Sequence, residues 1–579
     1  MTTEVDIQTE RVDDIPLLVQ QQVVMGIPTI IDGVIRPNGN RRGLSVGWTV
    51  VGWVSYILSA SDHRMSYVEP WVEQHLQTLQ ALLPLGVEGT CVTAQDFDDD
   101  RLGDVLRYLS DDASWSAIER GIGHQVVSVY GLPSERVRLD STTASLYHET
   151  AGTTLLAYGH SKDHRPDLPQ VKVMLGALDP LGLPLATLVA PGNSADDGLY
   201  VPVIEQVRHL LPQRRLLYIG DSKMEALTTR GHLAAQGDGY LVPLSQKGQQ
   251  GALLESLLPA VRSQAQPLTP VFRADEPERQ LLAQGYETSR WQESRVDGQP
   301  VRWQERLLVI YSPSLAQQGY RGLQERLQHA ERKLLALTPP PGRGKRQAHD
   351  LVKLQQAAET ILAEQRVSGL LTLTYHPEQS QRQIRAYRNR PARSEVKLRY
   401  QLQVTRNKAA IESATQALGW RLYATNGPVE QLPLPEAALA YRGATTIEHN
   451  FARLKGRPLG LRPFFVQRED HLKGLVRLLS LALRILTLIE FVVRRTLQTT
   501  PEPLAGLYPG NPKQQTDRPT TERLLAAFQE ITLTLVRLPA QHIRHVTPLT
   551  PLQHRILHLL GFSPSLYTAL TIAATPIPP

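Results

Sequence analysis

The chain has 579 residues, of which 41% are hydrophobic and 20% charged, and its formal net charge is +6. This length exceeds one ordinary domain and the apolar content supports large cores, so a globally disordered protein is excluded. Cys91 is the only cysteine, which excludes a disulfide framework and a cysteine-based zinc cluster.

Residues 1–130 are predicted to form a mainly helical domain that would suit DNA-end binding, although no clear helix-turn-helix pattern is present. Helical periodicity is clearest at residues 68–83, and PNGN at 37–40 predicts a turn. Residues 1–120 carry 8 arginines and no lysine against 18 acidic residues, a balance of −10. The first residues are acidic and lack an apolar run, so we expect no secretory signal peptide.

Residues 131–250 are predicted to hold a mixed five-stranded sheet with flanking helices. The pattern gives three meandering strands, then a helix, a strand, a helix and a strand. The predicted strands lie at 137–140, 171–178, 183–189, 215–219 and 240–244, and the helices at 195–211 and 224–236. Asp140 ends the first strand and Asp221 follows the fourth. Because the ends of central strands carry functional sites in mixed α/β folds, both acids are candidate site residues.

Residues 251–435 interrupt this alternation with a large mixed α+β insertion, in which Asp297-Gly298 predicts a hairpin turn. The other predicted elements are helices at 322–337 and 348–363, an exposed basic loop at 339–346, and strands at 370–375, 383–387, 396–404 and 420–424. Residues 320–408 carry 18 basic against 7 acidic residues, a balance of +11. Such clustering indicates a polyanionic partner such as nucleic acid, although a solvated helical face carries the same pattern.

Residues 436–500 are predicted to return to helix, and residues 501–579 to form a linker and a helical tail that suits dimerisation. The apolar run at 472–493 contains four charged residues, so it predicts a buried helix and no membrane association. A further helix is predicted near 520–537. Residues 441–495 carry 11 basic against 4 acidic residues, a balance of +7.

Tyr441, Glu448 and Lys455 follow one another at intervals of seven residues. On an α-helix of 3.6 residues per turn, seven steps return to nearly the same face, so the acid and the lysine would point the same way. A purely local explanation is also open. Thr445-x-x-Glu448 matches a capping box, in which Glu448 would bond a free backbone N–H.

Asp140, Asp221 and Glu448 together suggest a metal site. Carboxylate oxygens are the ligands that Mg²⁺ and Mn²⁺ prefer. Two such ions about 3.5–4 Å apart can activate an attacking oxygen and stabilise the leaving oxygen in a phosphodiester displacement. A serine esterase fits less well, because Ser222 lacks the G-x-S-x-G elbow.

Five segments carry a more specific pattern in combination. They are VRLDSTT at 137–143, YGHSKDHRPDLPQVKV at 158–173, PLATLVAPGNSADD at 184–197, YIGDSKM at 218–224 and YRGATTIEHNFARLKGRP at 441–458. With these segments the chain resembles DDE transposases of bacterial insertion sequences, in the group with a Tyr-Arg-Glu-Lys signature around the third acid.

The resemblance implies a ribonuclease H-like catalytic core that the insertion splits between the second and third acids. It implies that Asp140, Asp221 and Glu448 are catalytic ligands of two Mg²⁺ ions, with Mn²⁺ as a substitute. The implied reaction is cleavage of DNA at transposon terminal inverted repeats and strand transfer into target DNA. The implied assembly is a homodimer in the cytoplasm of a bacterium, associated with the nucleoid.

Tyr441 and Lys455 match the first and last residues of the signature and are expected to contact the DNA backbone. The remaining predicted DNA contacts are the basic residues Arg442, Arg453, Arg457 and Lys162. One departure concerns the signature arginine, whose position is occupied by Ala444. Arg442 could take its role if the helix begins only at Thr445.

Two alternatives to a transposase stay open at this level. The first is a metal-dependent DNA nuclease on the same core that cuts without joining. The second is a catalytically inactive DNA-binding descendant, against which the presence of all three acids argues. Terminal inverted repeats beside the gene would favour the transposase.

Overall fold

The computed structural model describes residues 6–37, 42–84, 90–147, 150, 152–211, 215–273, 280–340, 342, 347–384, 391, 393–500, 502–538 and 541–571. Most of the predicted turn at 37–40 and of the basic loop at 339–346 lies outside these residues. The chain divides into two compact units. The first comprises residues 1–242, 291–303 and 441–579, and the second comprises residues 243–290 and 304–440.

The described residues form a mixed α/β fold. The helices are α1 (Ile15–Val24), α2 (Ile27–Val34), α3 (Val46–Ala60), α4 (Val68–Gln74), α5 (Leu76–Leu82), α6 (Asp99–Ser110), α7 (Asp112–Tyr130), α8 (Tyr200–Leu210), α9 (Leu227–Ala235), α10 (Gly248–Arg262), α11 (Pro313–Ala336), α12 (Leu351–Glu364), α13 (Lys408–Gln416), α14 (Leu434–Arg442), α15 (Thr445–Lys455), α16 (Glu469–Thr499), α17 (Thr521–Ala526), α18 (Pro551–Leu560) and α19 (Ser565–Thr568). The strands are β1 (Asp6–Arg11), β2 (Arg136–Ser145), β3 (Gln170–Leu178), β4 (Pro184–Pro191), β5 (Leu217–Ile219), β6 (Gly239–Pro243), β7 (Thr269–Phe272), β8 (Leu281–Val296), β9 (Gln299–Tyr311), β10 (Leu371–Ile384), β11 (Arg393–Arg406), β12 (Trp420–Thr425), β13 (Leu504–Ala505), β14 (Gln515–Thr516), β15 (Thr532–Leu538) and β16 (Gln541–Val546).

The first unit contains a mixed sheet in which five strands have the order β4-β3-β2-β5-β6. A short turn joins β3 to β4, and Gly182 within it has a φ of +79° that favours glycine. Strands β2, β3 and β4 are therefore antiparallel neighbours. Helices α8 and α9 follow β4 and β5 in the chain, and strands β5 and β6 run parallel to β2 and to each other. This is the mixed order that the sequence pattern predicts.

Strand β2 is longer than predicted, because it continues past Asp140 to Ser145. Its pairing with β3 extends to Ser145, opposite Gln170. Only the first part of β2 pairs with β5, and Arg138 lies opposite Ile219 at the end of that pairing. Two residues further along each chain come Asp140 and Asp221. Asp140 thus marks the end of the parallel pairing and not the end of the strand.

Helix α16 passes through the core of the first unit, where it packs against α6, α3 and β4. Most of its residues are buried, as the apolar run predicts. The buried Arg484 pairs with the buried Glu119 of α7 and donates its Nε–H to the Pro184 carbonyl oxygen of β4 at 2.8 Å. These contacts link α16 to α7 and to the edge strand β4. Among the described helices, no single one is long and apolar enough to cross a membrane, although the bent pair α1 and α2 passes that test jointly.

Strands from both ends of the described chain share a small sheet of order β1-β15-β16. The prediction of a helix near 520–537 is therefore wrong for the second half of that range, since α17 ends at Ala526 and β15 begins at Thr532. The sequence TLTLVRL of β15 alternates threonine with leucine and valine, a period-two pattern that favours a half-buried strand.

Four further strands have the order β12-β9-β8-β7, and they belong to the second unit except for residues 291–303 around the β8–β9 turn, which belong to the first. The predicted hairpin turn is confirmed, since Asp297 and Gly298 both have a positive φ, as a two-residue hairpin turn requires. Strand β10 is continuous from Leu371 to Ile384 and pairs antiparallel with β11, whereas the sequence predicts two separate strands at 370–375 and 383–387. Residues 385–387 of the second predicted strand lie outside the described residues. Helices α11 and α12 pack on β10 and β11 through leucine and alanine side chains.

We expect Glu119→Ala to destabilise the first unit by about 3–5 kcal/mol, because it leaves the Arg484 guanidinium buried without its carboxylate. The shift in the midpoint of urea denaturation measures this loss. The exposed Glu73 provides the matched control, since Glu73→Ala removes a carboxylate from solvent. Equal midpoints for the two variants would show that the buried pair adds nothing.

Candidate active site

Asp140 and Asp221 lie near each other in the first unit, each two residues beyond the last pair of the β2–β5 register, Arg138 and Ile219. The carboxylate of Asp140 is about one quarter exposed, and its Oδ1 accepts a hydrogen bond from the Ser141 N–H at 2.7 Å. Burial raises the pKa of Asp140, the nearby charge of Asp221 raises it further, and Lys162 opposes both effects. The structure therefore brings the first two predicted acids together.

Lys162 connects this acid pair to a third carboxylate, that of Asp196. The Lys162 ammonium lies 3.5 Å from Asp140 Oδ1 and 4.0 Å from Asp196 Oδ2, and it donates to the Ser141 carbonyl oxygen at 2.6 Å. Asp196 also pairs with Lys172 at 2.6 Å. Burial acts to raise the pKa of Asp196, but the two lysines outweigh it and lower this pKa. Sequence reasoning missed Asp196, although it stands in the quoted segment 184–197.

Tyr200 holds the second acid in place. Its hydroxyl donates to Asp221 Oδ1 at 2.6 Å, and its side chain is only 2% exposed. Burial raises the pKa of Tyr200 well above its usual value, and the charges of Asp221, Asp140 and Asp196 add to this effect. The hydroxyl therefore stays protonated and remains a hydrogen-bond donor. This tyrosine was not predicted, because a tyrosine at helical spacing more often fills a core.

Glu448 lies on α15, a helix that packs against β2. Its side chain is exposed. The N-cap of α15 is Ala444, without a side-chain cap, so the capping box that Thr445 and Glu448 could form is absent at this described helix start. Tyr441 belongs to the preceding helix α14, which ends at Arg442. The three residues spaced by seven therefore do not share one helix, and only Glu448 and Lys455 do.

The middle and the last residue of α15 contact the sheet region of the first unit. Near its middle, Asn450 donates its side-chain N–H to the Gly182 carbonyl oxygen at 2.5 Å. At its end, the Lys455 ammonium lies 2.7 Å from Asp163 Oδ1. Burial lowers the pKa of Lys455, and the carboxylate of Asp163 opposes that shift. The contact with Asp163 was not predicted.

The remaining predicted DNA contacts differ in exposure. Arg453 is 3% exposed, and its guanidinium pairs with Glu490 and, at 2.7 Å, with Glu522. These contacts join α15 to α16 and α17, so Arg453 is a structural residue in this conformation. Arg442 and Arg457, by contrast, lie exposed on the surface.

The donor set at Asp140 and Asp221 suits a divalent cation, because paired carboxylate oxygens are hard ligands and their mutual repulsion favours a positive charge between them. In the part of the chain that the structure describes, no group of three or more His, Cys, Asp or Glu residues has the geometry to hold a metal ion. Glu448 thus does not complete a metal-holding cluster with the two aspartates in this conformation.

The family comparison gives this geometry a context. The family model described as Transposase DDE domain matches residues 133–485, which is more than half of the chain, and the chain belongs to this family. Membership of this family supports transposase activity in general. A search of curated proteins finds no match.

Among solved structures, the chain is similar to a piggyBac transposase in a synaptic complex with hairpin DNA, determined by cryo-EM. The identity is 8% and the TM-score 0.33, and the alignment covers 97% of this chain and 86% of that chain. A TM-score this low supports no comparison of individual residues.

We expect Tyr200→Phe to lower DNA cleavage by about 10–100-fold, because a group that hydrogen-bonds a metal-ligating carboxylate tunes the site to that extent. Strand cleavage in Mg²⁺ measures the effect, with thermal unfolding as the test of folding. Tyr320→Phe, which alters a half-exposed tyrosine of the second unit, is the matched control. Wild-type cleavage by Tyr200→Phe would remove this residue from the site.

Proposed function

We propose that this protein cleaves DNA at the terminal inverted repeats of a bacterial insertion sequence and transfers the cut strand into target DNA. The observation that carries the proposal is the placement of Asp140 and Asp221 near each other within the family's matched region. The Tyr-Arg-Glu-Lys group is proposed because Tyr441, Glu448 and Lys455 keep its spacing. A ribonuclease H-like core is proposed for the mixed sheet that carries the acids.

Asp140, Asp221 and Glu448 are the proposed metal ligands. Two bound Mg²⁺ ions, or Mn²⁺ ions, would supply activation of the attacking oxygen and stabilisation of the leaving oxygen. Tyr200 keeps the carboxylate of Asp221 oriented through its hydrogen bond. Lys162 lies near both Asp140 and Asp196, and its positive charge favours the ionised form of both carboxylates.

The chemistry consists of two displacements at phosphorus. In the first, a water oxygen attacks the phosphodiester at the transposon end, the bond to the 3′ oxygen breaks, and a free 3′ hydroxyl results. In the second, that hydroxyl attacks a target phosphodiester, whose own 3′ oxygen leaves. The proposed contacts to the DNA backbone are Tyr441, Arg442, Lys455, Arg457 and Lys162. Arg453 is left out, because its guanidinium is buried in ion pairs.

The proposed assembly is a homodimer that holds two transposon ends, in the bacterial cytoplasm near the nucleoid. The N-terminal 130 residues are proposed to bind ends, residues 251–435 to form the basic insertion, and residues 501–579 to support dimerisation. A nuclease that cuts without joining is the alternative. Incubation of cut end-containing DNA with a supercoiled plasmid separates the two, because only a transposase inserts the end into the plasmid.

We expect Asp140→Ala, Asp221→Ala and Glu448→Ala each to abolish strand cleavage in Mg²⁺ while end binding persists, because each removes a proposed metal ligand and no core side chain. Gel assays of cleavage and binding on the same end-containing duplex check this. The neighbouring Asp197 is exposed, so Asp197→Ala controls for loss of a surface charge. Full activity in any one of the three variants would exclude that residue from the triad.

We also expect DNA binding to weaken steeply with salt, because lysine and arginine contacts to phosphates release condensed counterions. For about 6–10 phosphate contacts, affinity falls about 10³–10⁵-fold between 50 and 200 mM salt. Fluorescence anisotropy with a labelled duplex measures the slope. A flat response would count against the basic regions 320–408 and 441–495 as the contact surface.

A further inference from the structure

The segment that follows α15 brings a second cation back to Lys455. The Arg462 Nη1 lies 2.8 Å from Asp163 Oδ2, while the Lys455 ammonium lies 2.7 Å from the other oxygen of the same carboxylate. The side chain of Asp163 is 7% exposed, that of Lys455 16% and that of Arg462 36%. One buried carboxylate thus pairs with two cations, and the three groups together keep a net charge of +1.

Asp163 is itself fixed to the sheet through the turn that contains it. The Ser161 hydroxyl oxygen accepts hydrogen bonds from the N–H groups of Asp163 and Arg165, both at 3.2 Å. The Lys162 N–H donates to Thr143 Oγ1 on β2 at 2.9 Å. Two consecutive residues of this turn therefore face different groups, with Lys162 directed to Asp140 and Asp163 to Lys455 and Arg462.

A cavity of about 460 Å³ opens beside these cations, lined by Lys455, Arg462, Phe464 and Tyr147 among others. Tyr147 is 77% exposed, and its hydroxyl accepts a hydrogen bond from Arg165 at 3.0 Å. Arg165 is already paired with Asp167, so it adds little net charge. The wall of the cavity is thus aromatic, and its uncompensated charge is positive.

We propose that Lys455 and Arg462, positioned by Asp163, form a subsite for one backbone phosphate of a DNA strand, with Tyr147 against the adjoining sugar or base. This inference rests on the proposed function and names a contact within it. One cation is enough to neutralise the carboxylate of Asp163. Arg462 is a second cation whose side chain stays about one third exposed, so its N–H groups can donate to an anion. Tyrosine offers a flat ring on which a nucleotide packs.

The subsite also accounts for the missing signature arginine. Ala444 cannot donate to a phosphate, and Arg442 lies at the end of α14, before the break that precedes α15. Arg462 stands beside Lys455 instead, held through the carboxylate of Asp163. The guanidinium expected ahead of Glu448 in the sequence is therefore supplied from the segment after Lys455.

The first test compares Arg462→Ala with Arg468→Ala in the full-length protein. Arg468 lies on the same connecting segment, but it is 62% exposed and pairs with Asp470 away from this cavity. With a 40-base-pair duplex of arbitrary sequence, Arg462→Ala is expected to reduce the magnitude of the salt slope of binding by about 1, the value for one lost phosphate contact. Arg468→Ala is expected to leave the slope unchanged. Equal slopes for Arg462→Ala and wild type, or equal losses in both variants, would overturn the proposal.

The second test varies the DNA and starts from the wild-type protein. Single methylphosphonate substitutions along the terminal-repeat duplex neutralise one phosphate at a time, and wild-type protein is expected to lose about 10-fold affinity at the phosphate that the subsite binds. In Arg462→Lys the penalty at that one position is expected to shrink. The same penalty at every position in both proteins would refute a discrete subsite.

Asp163→Asn tests the positioning role. It is expected to lower the cleavage rate by about 10-fold or more while duplex affinity stays equal or rises, because the cations persist but lose their anchor. Asp163→Glu, which keeps the charge, is expected to recover part of the rate. Parallel loss of affinity and cleavage would identify a merely structural residue. If Asp140→Ala retains cleavage, the proposed function fails. If Asp140→Ala abolishes cleavage as expected but the Arg462 variants bind DNA like the wild type, only the subsite is refuted.

Discussion

Crowding of negative charge around Tyr200 is the constraint on which the arrangement of the first unit depends. Asp140, Asp221 and Asp196 all raise the pKa of this buried tyrosine, so their charges act over the same small volume. Such a cluster is stable only if cations and donors surround it. Lys162 and Lys172 supply positive charge, and the backbone of β2 supplies a donor from Ser141. These contacts partly balance the charges of the acids that the proposed function assigns to metal binding.

The strand pattern made much of this arrangement predictable. Meandering strands, then helix–strand–helix–strand, define a mixed sheet, and the parallel register of β2 and β5 ends two residues before Asp140 and Asp221. The pattern could not show the length of β2. The residues after Asp140 are strand because they pair with β3, and this pairing with a distant segment is not visible in the local sequence. Likewise, the sequence pattern predicts helix where β15 lies. The helical pattern of the preceding α17 extends the predicted helix over the threonine–leucine alternation of the strand.

The helix of the third acid illustrates a second limit. A spacing of seven suits one continuous helix, yet the chain breaks between Arg442 and Thr445, where Gly443 disfavours helix. Ion pairs between residues distant in sequence could not be predicted either. Asp163 and Lys455 are 292 residues apart, and only the folded chain shows that Arg462 joins them. Asp163 lies within one of the segments that resemble the family, but its role as an ion-pair partner depends on residues that are distant in sequence.

The pairing of β1 with β15 bears on the order in which the protein can be made. Thr9 and Thr534 face each other across this sheet, 525 residues apart, so β1 can pair with β15 only after those intervening residues have left the ribosome. At about 5–20 residues per second, that interval is about 25–105 seconds. An unpaired strand is an aggregation hazard over such a time, and the charged residues of DIQTER reduce it. Closure of this sheet therefore follows the synthesis of β1 only after a long stretch of further chain has been made.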